Sequence, residues 1–409
     1  MSNAFMRFWY HNQDVVILSA ILIFLIVIGL IEHFIHNRRV KKVPVRIHVN
    51  GTRGKSTTTR LIAAGLRESG LKVIAKTTGT AAMMIYEDGS ETPIVRRKPV
   101  NISEQFRIVR EATRRGADAI VIECMALHPE NQWVSEHKII RSTIGVITNV
   151  ADDHLDVMGP TEDDVARALS ATVPKRGVLV TENGKYASLF EEVARKRKSE
   201  IHFSDPTQVS DQENEAFSYV SFKENVSIAL KVCELCGIDR QVALNGMVKA
   251  AGDPGAMKII RKNDMVFAGA FAANDSESTK AAWDKVKGIN DAKGRKTVVV
   301  MNNRQDRVQR IGEIASAIVD GIAPDYVVLV GGLPIIARRY LVNQSKKGDG
   351  KLDGSRILDL TSVKEPSEIV SKIEDKFSCP EGLTLFGVGN TKGIGESLME
   401  YFEKNGEAM

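Results

Sequence analysis

The sequence predicts an α/β protein: one N-terminal transmembrane helix, then a central domain on a mostly parallel sheet of the P-loop type, then a C-terminal Rossmann-like α/β domain. Three observations predict it. An uncharged apolar run lies near the start, short aliphatic runs then alternate with amphipathic stretches, and a glycine turn followed by Lys-Ser joins the first of those runs to a helix. At 409 residues the chain is too long for one ordinary core. With 43% hydrophobic and 26% charged residues, disorder and collagen-like repetition are excluded. The formal net charge of +5 is concentrated in residues 1 to 46, which hold six bases and two acids. The rest of the chain is close to neutral, so no nucleic-acid surface is indicated. Four cysteines make no disulfide framework in a chain of this size, which fits a reducing compartment.

The apolar run covers the 17 uncharged residues Val15 to Ile31. At about 1.5 Å per residue it crosses most of a hydrocarbon core of about 30 Å. Phe8, Trp9 and Tyr10 precede it at interfacial positions, and Arg38, Arg39, Lys41, Lys42 and Arg46 follow it, which places the rest of the chain on the cytoplasmic side. A cleaved signal peptide and a buried core helix are the alternatives. No small-residue cleavage site follows the run, so an uncleaved single-pass anchor is expected. Met1 to Ala4 reads like an expression-tag remnant without structural meaning.

After Pro44 the strands are read at 45–49, 71–75, 118–123, 142–147 and 177–181, with a helix from Thr57 to Ser69 on which Leu61, Ile62, Gly65 and Leu66 share a face. A second α/β set follows Asp253-Pro254-Gly255, with strands at 265–271, 297–302, 326–332 and 383–389. The domains are therefore set at 1–43 (tag remnant, anchor and basic flank), 44–252 and 253–409. The stretch 344–355, QSKKGDGKLDGS, reads as a solvated loop.

The segment RIHVNGTRGKSTTTRLIAAGL carries the chemistry. Gly51 and Gly54 let backbone N–H groups approach an anion, the helix N-terminus adds partial positive charge, Lys55 reaches terminal phosphates, and the Ser56 hydroxyl can ligate Mg²⁺. The usual P-loop spacing asks for a glycine where this chain has Val49. A plain glycine turn between strand and helix is the structural alternative, and it leaves Lys-Ser-Thr-Thr-Thr unexplained. Thr78-Gly79-Thr80 reads equally as a second substrate loop or an ordinary turn. Arg96, Arg97 and Lys98 read chiefly as a solvated face. Cys233 and Cys236 lie in a helical pattern with no partner pair at metal spacing, so they read as packing. The stretch Gly387-Val-Gly389-Asn-Thr-Lys-Gly393-Ile-Gly395 resembles a dinucleotide turn but lacks the later acidic residue, and a cleft or partner-contact loop is the preferred reading.

Asn50-Gly51-Thr52-Arg53-Gly54-Lys55-Ser56-Thr57 resembles the ATP loop of the Mur ligase superfamily. Other resemblances follow in order. Glu123 stands where that family places a Mg²⁺-ligating glutamate, and Asn149 to Asp156 is similar to its Asn-x-x-x-Asp-His-Leu-Asp signature, whose histidine, here His154, serves a second metal. Asn225 resembles a nucleotide-contacting asparagine, Phe271 to Ser276, with Asn274, a nucleotide-contacting segment, and Asp306 to Arg310 the arginine motif after it. Two departures stand out. The family's carbamylated lysine, about 14 residues after the histidine, falls on Ala168, with Lys175 too far along to align, and the nucleotide-sugar domain of the peptidoglycan enzymes is replaced by the membrane helix. With ECMALHPE at 123–130 and the anchor, these departures make the chain resemble the ligase subunits of poly-γ-glutamate synthases.

That resemblance implies an ATP-dependent amide ligase. ATP converts a carboxylate to an acyl phosphate and an amine displaces phosphate, giving amide, ADP and Pi, with positioning and charge neutralisation supplying most of the catalysis. It implies ATP and Mg²⁺ as cofactors, Lys55, Glu123 and His154 as catalytic residues, and Ser56, Glu123 and His154 at the metal. Residues 50–57, Asn225, Asn274, Asp306 and Arg310 are implied at the nucleotide. A salt-bridged strand end is the alternative for Glu123, and a loop histidine bonded to Asp153 or Asp156 for His154. Glutamate and a poly-γ-glutamate chain are the implied substrates, membrane subunits of the same synthase the implied partners, and an oligomer is expected. Two alternatives stay open: a folylpolyglutamate- or Mur-type ligase on another acceptor, and a membrane-tethered regulatory ATPase or kinase. The autophosphorylating kinases end in a tyrosine cluster, whereas this tail has only Tyr401.

Overall fold

A computed structural model describes residues 3–79, 82–96, 101–253, 256–273, 276–291, 294–306, 308–348, 350–377 and 379–409. Helix α1 spans Asn3–Lys42 and contains the apolar run. Among the described residues one helix, over Asn12–Lys42, is long and apolar enough to cross a membrane, and the residues of its apolar window are unburied. Its end behaves differently: Val40, and Val43 just past the helix, are buried in a cluster with Ile74, Ile108, Ile120 and Ile122.

The chain divides into two compact units, one of 1–78, 82–208 and 224–247 and the other of 79–81, 209–223 and 248–409. In the first, the strands are β1 (Val45–Asn50), β2 (Val73–Thr77), β3 (Met83–Ile85), β4 (Glu91–Pro93), β5 (Ala119–Glu123), β6 (Ile144–Ile147), β7 (Val178–Glu182) and β8 (Glu200–Ser204). They form a sheet in the order β4-β3-β2-β5-β1-β6-β7-β8. Six of them are parallel, and β3 and β4 extend one edge antiparallel. The central strands are near-continuous aliphatic runs because a parallel sheet is covered on both faces. Helix α2, Lys55–Glu68, follows β1 and buries Leu61, Ile62 and Leu66. A Cβ at its Gly65 would lie 2.8 Å from Cys233 Sγ, so that cysteine fills helix packing.

The second unit holds β9 (Ile259–Lys262), β10 (Met265–Gly269), β11 (Lys296–Asn303), β12 (Tyr326–Gly331), β13 (Ile357–Asp359), β14 (Leu383–Gly389) and β15 (Glu407–Ala408), in the order β13-β12-β11-β14-β10-β9-β15. Five are parallel, and β9 and β15 close one edge antiparallel. One structural difference from the sequence reading lies here. The helix Pro334–Lys347 runs four residues into the stretch read as a loop, because Ser345 is buried and accepts Gly350 N at its carbonyl and Leu352 N at its hydroxyl.

Candidate active site

Adjacent parallel strands deliver the site to one edge of the first sheet, the carboxyl edge where open α/β sheets place their ligands. Val49 in β1 pairs with Glu123 at the end of β5, and Asn50 with Ile147 at the end of β6. The glycine turn leaves β1 between them.

Glycine is required twice in that turn. Gly51 has φ 131°, and a Cβ there would overlap the Thr148 hydroxyl and lie 2.9 Å from its backbone nitrogen. Gly54 has φ 75°, and a Cβ there would overlap Asn225 Oδ1 and lie 2.9 Å from its Cγ. Only a residue without a side chain takes these conformations at no steric cost and allows such close approach. The segment after β6 then locks the turn. Thr52 N donates to Asn149 O at 3.2 Å, Arg53 N to Asn149 Oδ1 at 2.9 Å, and Thr148 Oγ1 to Arg53 O at 2.6 Å. With Gly54 as N-cap, α2 begins without a side-chain cap, which leaves its first N–H groups for an anion.

Lys55 folds over the turn, its Nζ donating to Gly51 O at 2.6 Å and Thr52 O at 3.0 Å. Ser56 Oγ donates to Glu123 Oε2 at 2.8 Å, and Thr78 N donates to the same oxygen at 2.6 Å. A hydroxyl and a buried carboxylate are the oxygen donors that a hard divalent cation takes, so these two residues fit one. Asn225 accepts from Thr58 Oγ1 at 3.3 Å and backs Gly54. The Asn50 amide points the other way, donating to Gln132 Oε1 at 2.8 Å and Thr172 Oγ1 at 3.2 Å, so it braces the turn from below.

His154 joins the turn through Asp153. Arg53 Nη1 lies 3.4 Å from Asp153 Oδ2, and His154 Nε2 lies 3.8 Å from Asp153 Oδ1. His154 adopts φ 46° as the N-cap of the short helix Leu155–Met158. Among the described residues no three His, Cys, Asp or Glu side chains form a metal-holding group. In the second unit, Asp306 accepts from Arg304 at 2.9 Å and 2.7 Å, and Arg310 lies on the helix Gln309–Ser316. Asn274, Thr80, Arg97 and Lys98 lie outside the described residues.

Sequence reasoning missed Lys76. It sits fully buried in β2, its Nζ 3.0 Å from Glu104 Oε1, and Glu104 also accepts from Arg96 Nε at 2.8 Å. Burial pushes the Lys76 ammonium below its ordinary pKa, and Glu104 and Glu123 oppose that. Its signal was a lone cation inside the buried strand VIAKT. Within β1, buried His48 places Nδ1 2.9 Å from Glu136 Oε2. Burial disfavours its imidazolium, but Cys124 and Glu136 outweigh that and raise the pKa to about 9.

Residues 49–247 match the Mur ligase middle domain, and residues 256–405 match the C-terminal domain of the poly-γ-glutamate synthase CapB. The PGA synthase CapB of Bacillus subtilis (strain 168) is 38% identical over 387 residues, covering 92% of this chain and 94% of that protein. The chain belongs to the CapB family. The capsule biosynthesis protein CapB of Bacillus anthracis is also 38% identical, over 95% of this chain and 82% of its own. Among solved structures, the bifunctional folylpolyglutamate synthase/dihydrofolate synthase of Yersinia pestis, complexed with AMPPNP and Mn ion, aligns with TM-score 0.66 at 12% identity over 90% of this chain and 92% of that one. MurF of Acinetobacter baumannii aligns with TM-score 0.64 at 16% identity over 90% and 79%. These two share the fold. As a CapB-family chain with a Mur ligase middle domain, the protein is an ATP-dependent amide-forming ligase.

Proposed function

We propose that this CapB-family ligase elongates poly-γ-glutamate at the cytoplasmic face of the membrane through an acyl phosphate. The phosphate turn carries the reading: Lys55 lies over Gly51 and Thr52 while Ser56 and Glu123 meet at 2.8 Å beside it. The turn and the start of α2 hold the triphosphate, and Lys55 neutralises charge as the terminal phosphoryl group passes to a glutamate carboxylate. An amine then attacks that acyl carbon and phosphate leaves, giving the amide. Ser56 and Glu123 are the residues that would hold Mg²⁺, with His154 reaching the site through Asp153; the ion's chemistry is to offset charge on the phosphate oxygens. Roles at the nucleotide for Asp306, Arg310 and Asn274 stand on the family resemblance, and their alanine variants are expected to raise KM for ATP.

The apolar part of α1 supports a single-pass anchor, and its basic last turn supports a cytoplasmic catalytic region. Among the described residues a single helix is long and apolar enough to span a membrane, and one helix offers a polymer no export path, which supports membrane partner subunits and a larger assembly. Purified protein is expected to release Pi and ADP only when glutamate or polymer is present. Release of AMP and pyrophosphate would overturn the acyl-phosphate route. Radiolabelled glutamate incorporation with and without co-expressed membrane subunits tests the partners.

A further inference from the structure

At the opposite edge of the first sheet, a cavity of about 640 Å³ opens at the amino ends of β1, β6 and β7. It is lined by Arg46, Thr143 and Arg176 from those three strand starts and lies about 15 Å from the phosphate turn, the length of β1 at about 3.3 Å per residue. Seven lysines and arginines line it against one carboxylate, Glu136. That carboxylate is spent: one oxygen holds His48 and the other accepts from Ser142 N and Oγ, both at 2.9 Å. Two of the arginines are also committed, Arg46 to the carbonyls of Val43, Pro44 and Arg141, and Arg197 to those of Ala171 and Val173. The side chains of Arg141, Lys175 and Arg176 form no hydrogen bond or ion pair among the described residues. Three unpaired cations therefore share one concave wall. Burial lowers the Arg46 pKa, Glu136 opposes that, and the Arg141 charge lowers it further.

The cavity adjoins the foot of α1, although no residue of that helix lines it. His36 Nε2 lies 2.8 Å from Ile139 O, two residues before Arg141, and Arg46 Nη1 donates to Val43 O at 2.7 Å just past the end of the helix. Ile35 is the last exposed large apolar residue of α1, 41% exposed. From Ile35 to Lys42 the helix rises about 10 Å, slightly more than the roughly 5–7.5 Å that the headgroup layer adds on each side of the hydrocarbon core, which puts the foot of α1 at the outer edge of the headgroups. A cavity of this size, charge and depth suits one headgroup, whereas an acidic polymer needs an extended groove. We propose that the cavity binds the phosphate headgroup of an anionic phospholipid, with Arg141, Lys175 and Arg176 as the groups that contact it. The inference rests on the membrane-anchor reading above.

The test uses the full chain in nanodiscs of phosphatidylcholine with and without phosphatidylglycerol, followed by native mass spectrometry of the lipid it retains in detergent. The wild type is expected to retain phosphatidylglycerol over phosphatidylcholine. The triple variant Arg141→Gln, Lys175→Gln, Arg176→Gln is expected to insert equally and keep its ATP affinity. At about fivefold per cation its phosphatidylglycerol affinity falls by about a hundredfold. Equal retention by the triple variant overturns the proposal, as does displacement of the lipid by inorganic phosphate or by poly-γ-glutamate at equal charge concentration. Carbonate extraction separates the two readings. A wild-type chain stripped from vesicles overturns the anchor and the headgroup site with it, while an inserted chain without lipid preference overturns the headgroup site alone.

Discussion

The turn after β1 and the turn after β14 are built alike. Each leaves a strand flanked on both sides by parallel neighbours, each carries two left-handed glycines, at φ 131° and 75° in the first and 102° and 78° in the second, and each leads into a helix. They differ in what surrounds the glycines. The first turn is crowded by Thr148 and Asn225 and followed by Lys55 and Ser56 reaching Glu123. The second is tied by neutral amides, Asn302 Nδ2 donating to Lys392 O at 3.1 Å and Asn390 Nδ2 to Asn302 O at 3.2 Å, and its helix opens on Ile394 and Gly395. A strand, a glycine turn and a helix thus make a shape, and the side chains placed on it are what favour the first turn over the second for the phosphate role proposed above.

Removing the cation breaks the comparison most sharply. Lys55→Ala is expected to lower Pi release by about 10²- to 10³-fold or more, the usual cost of losing one preorganised charge-stabilising group. The protein should stay folded, since the Lys55 ammonium bonds only to carbonyls of its own turn. Steady-state Pi release beside circular dichroism checks it, and retained turnover would reduce the first turn to the status of the second.

The glycines give the next contrast. Gly54→Ala meets both a left-handed φ of 75° and the Asn225 side chain, so strain and overpacking together should cost about 2–4 kcal/mol. Gly393→Ala has φ 78° with ψ −124°, outside the αL region that Gly54 occupies, but nothing lies within 4 Å of the new methyl, so backbone strain alone, about 1–3 kcal/mol, is expected. Denaturant unfolding of the two variants should show the larger loss at Gly54, where overpacking against Asn225 adds to the strain, by about 1 kcal/mol.

Beneath the first turn lies an ionised support that the second lacks. The His48 pKa rises from 6.5 to about 9 on folding, so its stabilisation is fully present below about pH 6.5 and is lost as pH rises through about 9. Between pH 7 and pH 9 the loss should be about 2 kcal/mol. Thermal unfolding over that range should show the Tm falling with pH, and His48→Gln should flatten the slope while lowering stability at pH 7. A slope unchanged by that substitution would place the titrating group elsewhere.

Much of the first turn was legible because its chemistry is local: the residue types at 50–57 and at 149–156 are contiguous in the chain. Glu123 was legible as the acid that ends an apolar strand. Lys76 was not, because its meaning depends on Glu104, which only the fold brings to 3.0 Å. Edge strands such as β8 and β13 were missed because EIHFS and ILD are too short or too polar to show a run. The basic cavity draws residues from 46 to 197: Arg46 belongs to the basic flank of α1 and Lys196 and Arg197 to the run 195–198, but only the fold brings these to Arg141, Lys175 and Arg176, and Lys175 was weighed only for its distance from His154.

The smallest expected effect sharpens the comparison from the other side. The second turn also has a lysine, Lys392, but it precedes Gly393 and the helix, is exposed, and contributes to the turn through its carbonyl. Lys55 is the first residue of its helix and aims its ammonium back over the turn. The proposed phosphate role of Lys55 therefore rests on its position relative to the helix start. Lys392→Ala should change affinity for a fluorescent ATP analogue by less than about 0.5 kcal/mol, the range of surface substitutions away from a site. Equilibrium titration of this variant beside Lys55→Ala reads the difference directly, and a loss at Lys392 equal to that at Lys55 would mean that the turn after β14 binds nucleotide as well.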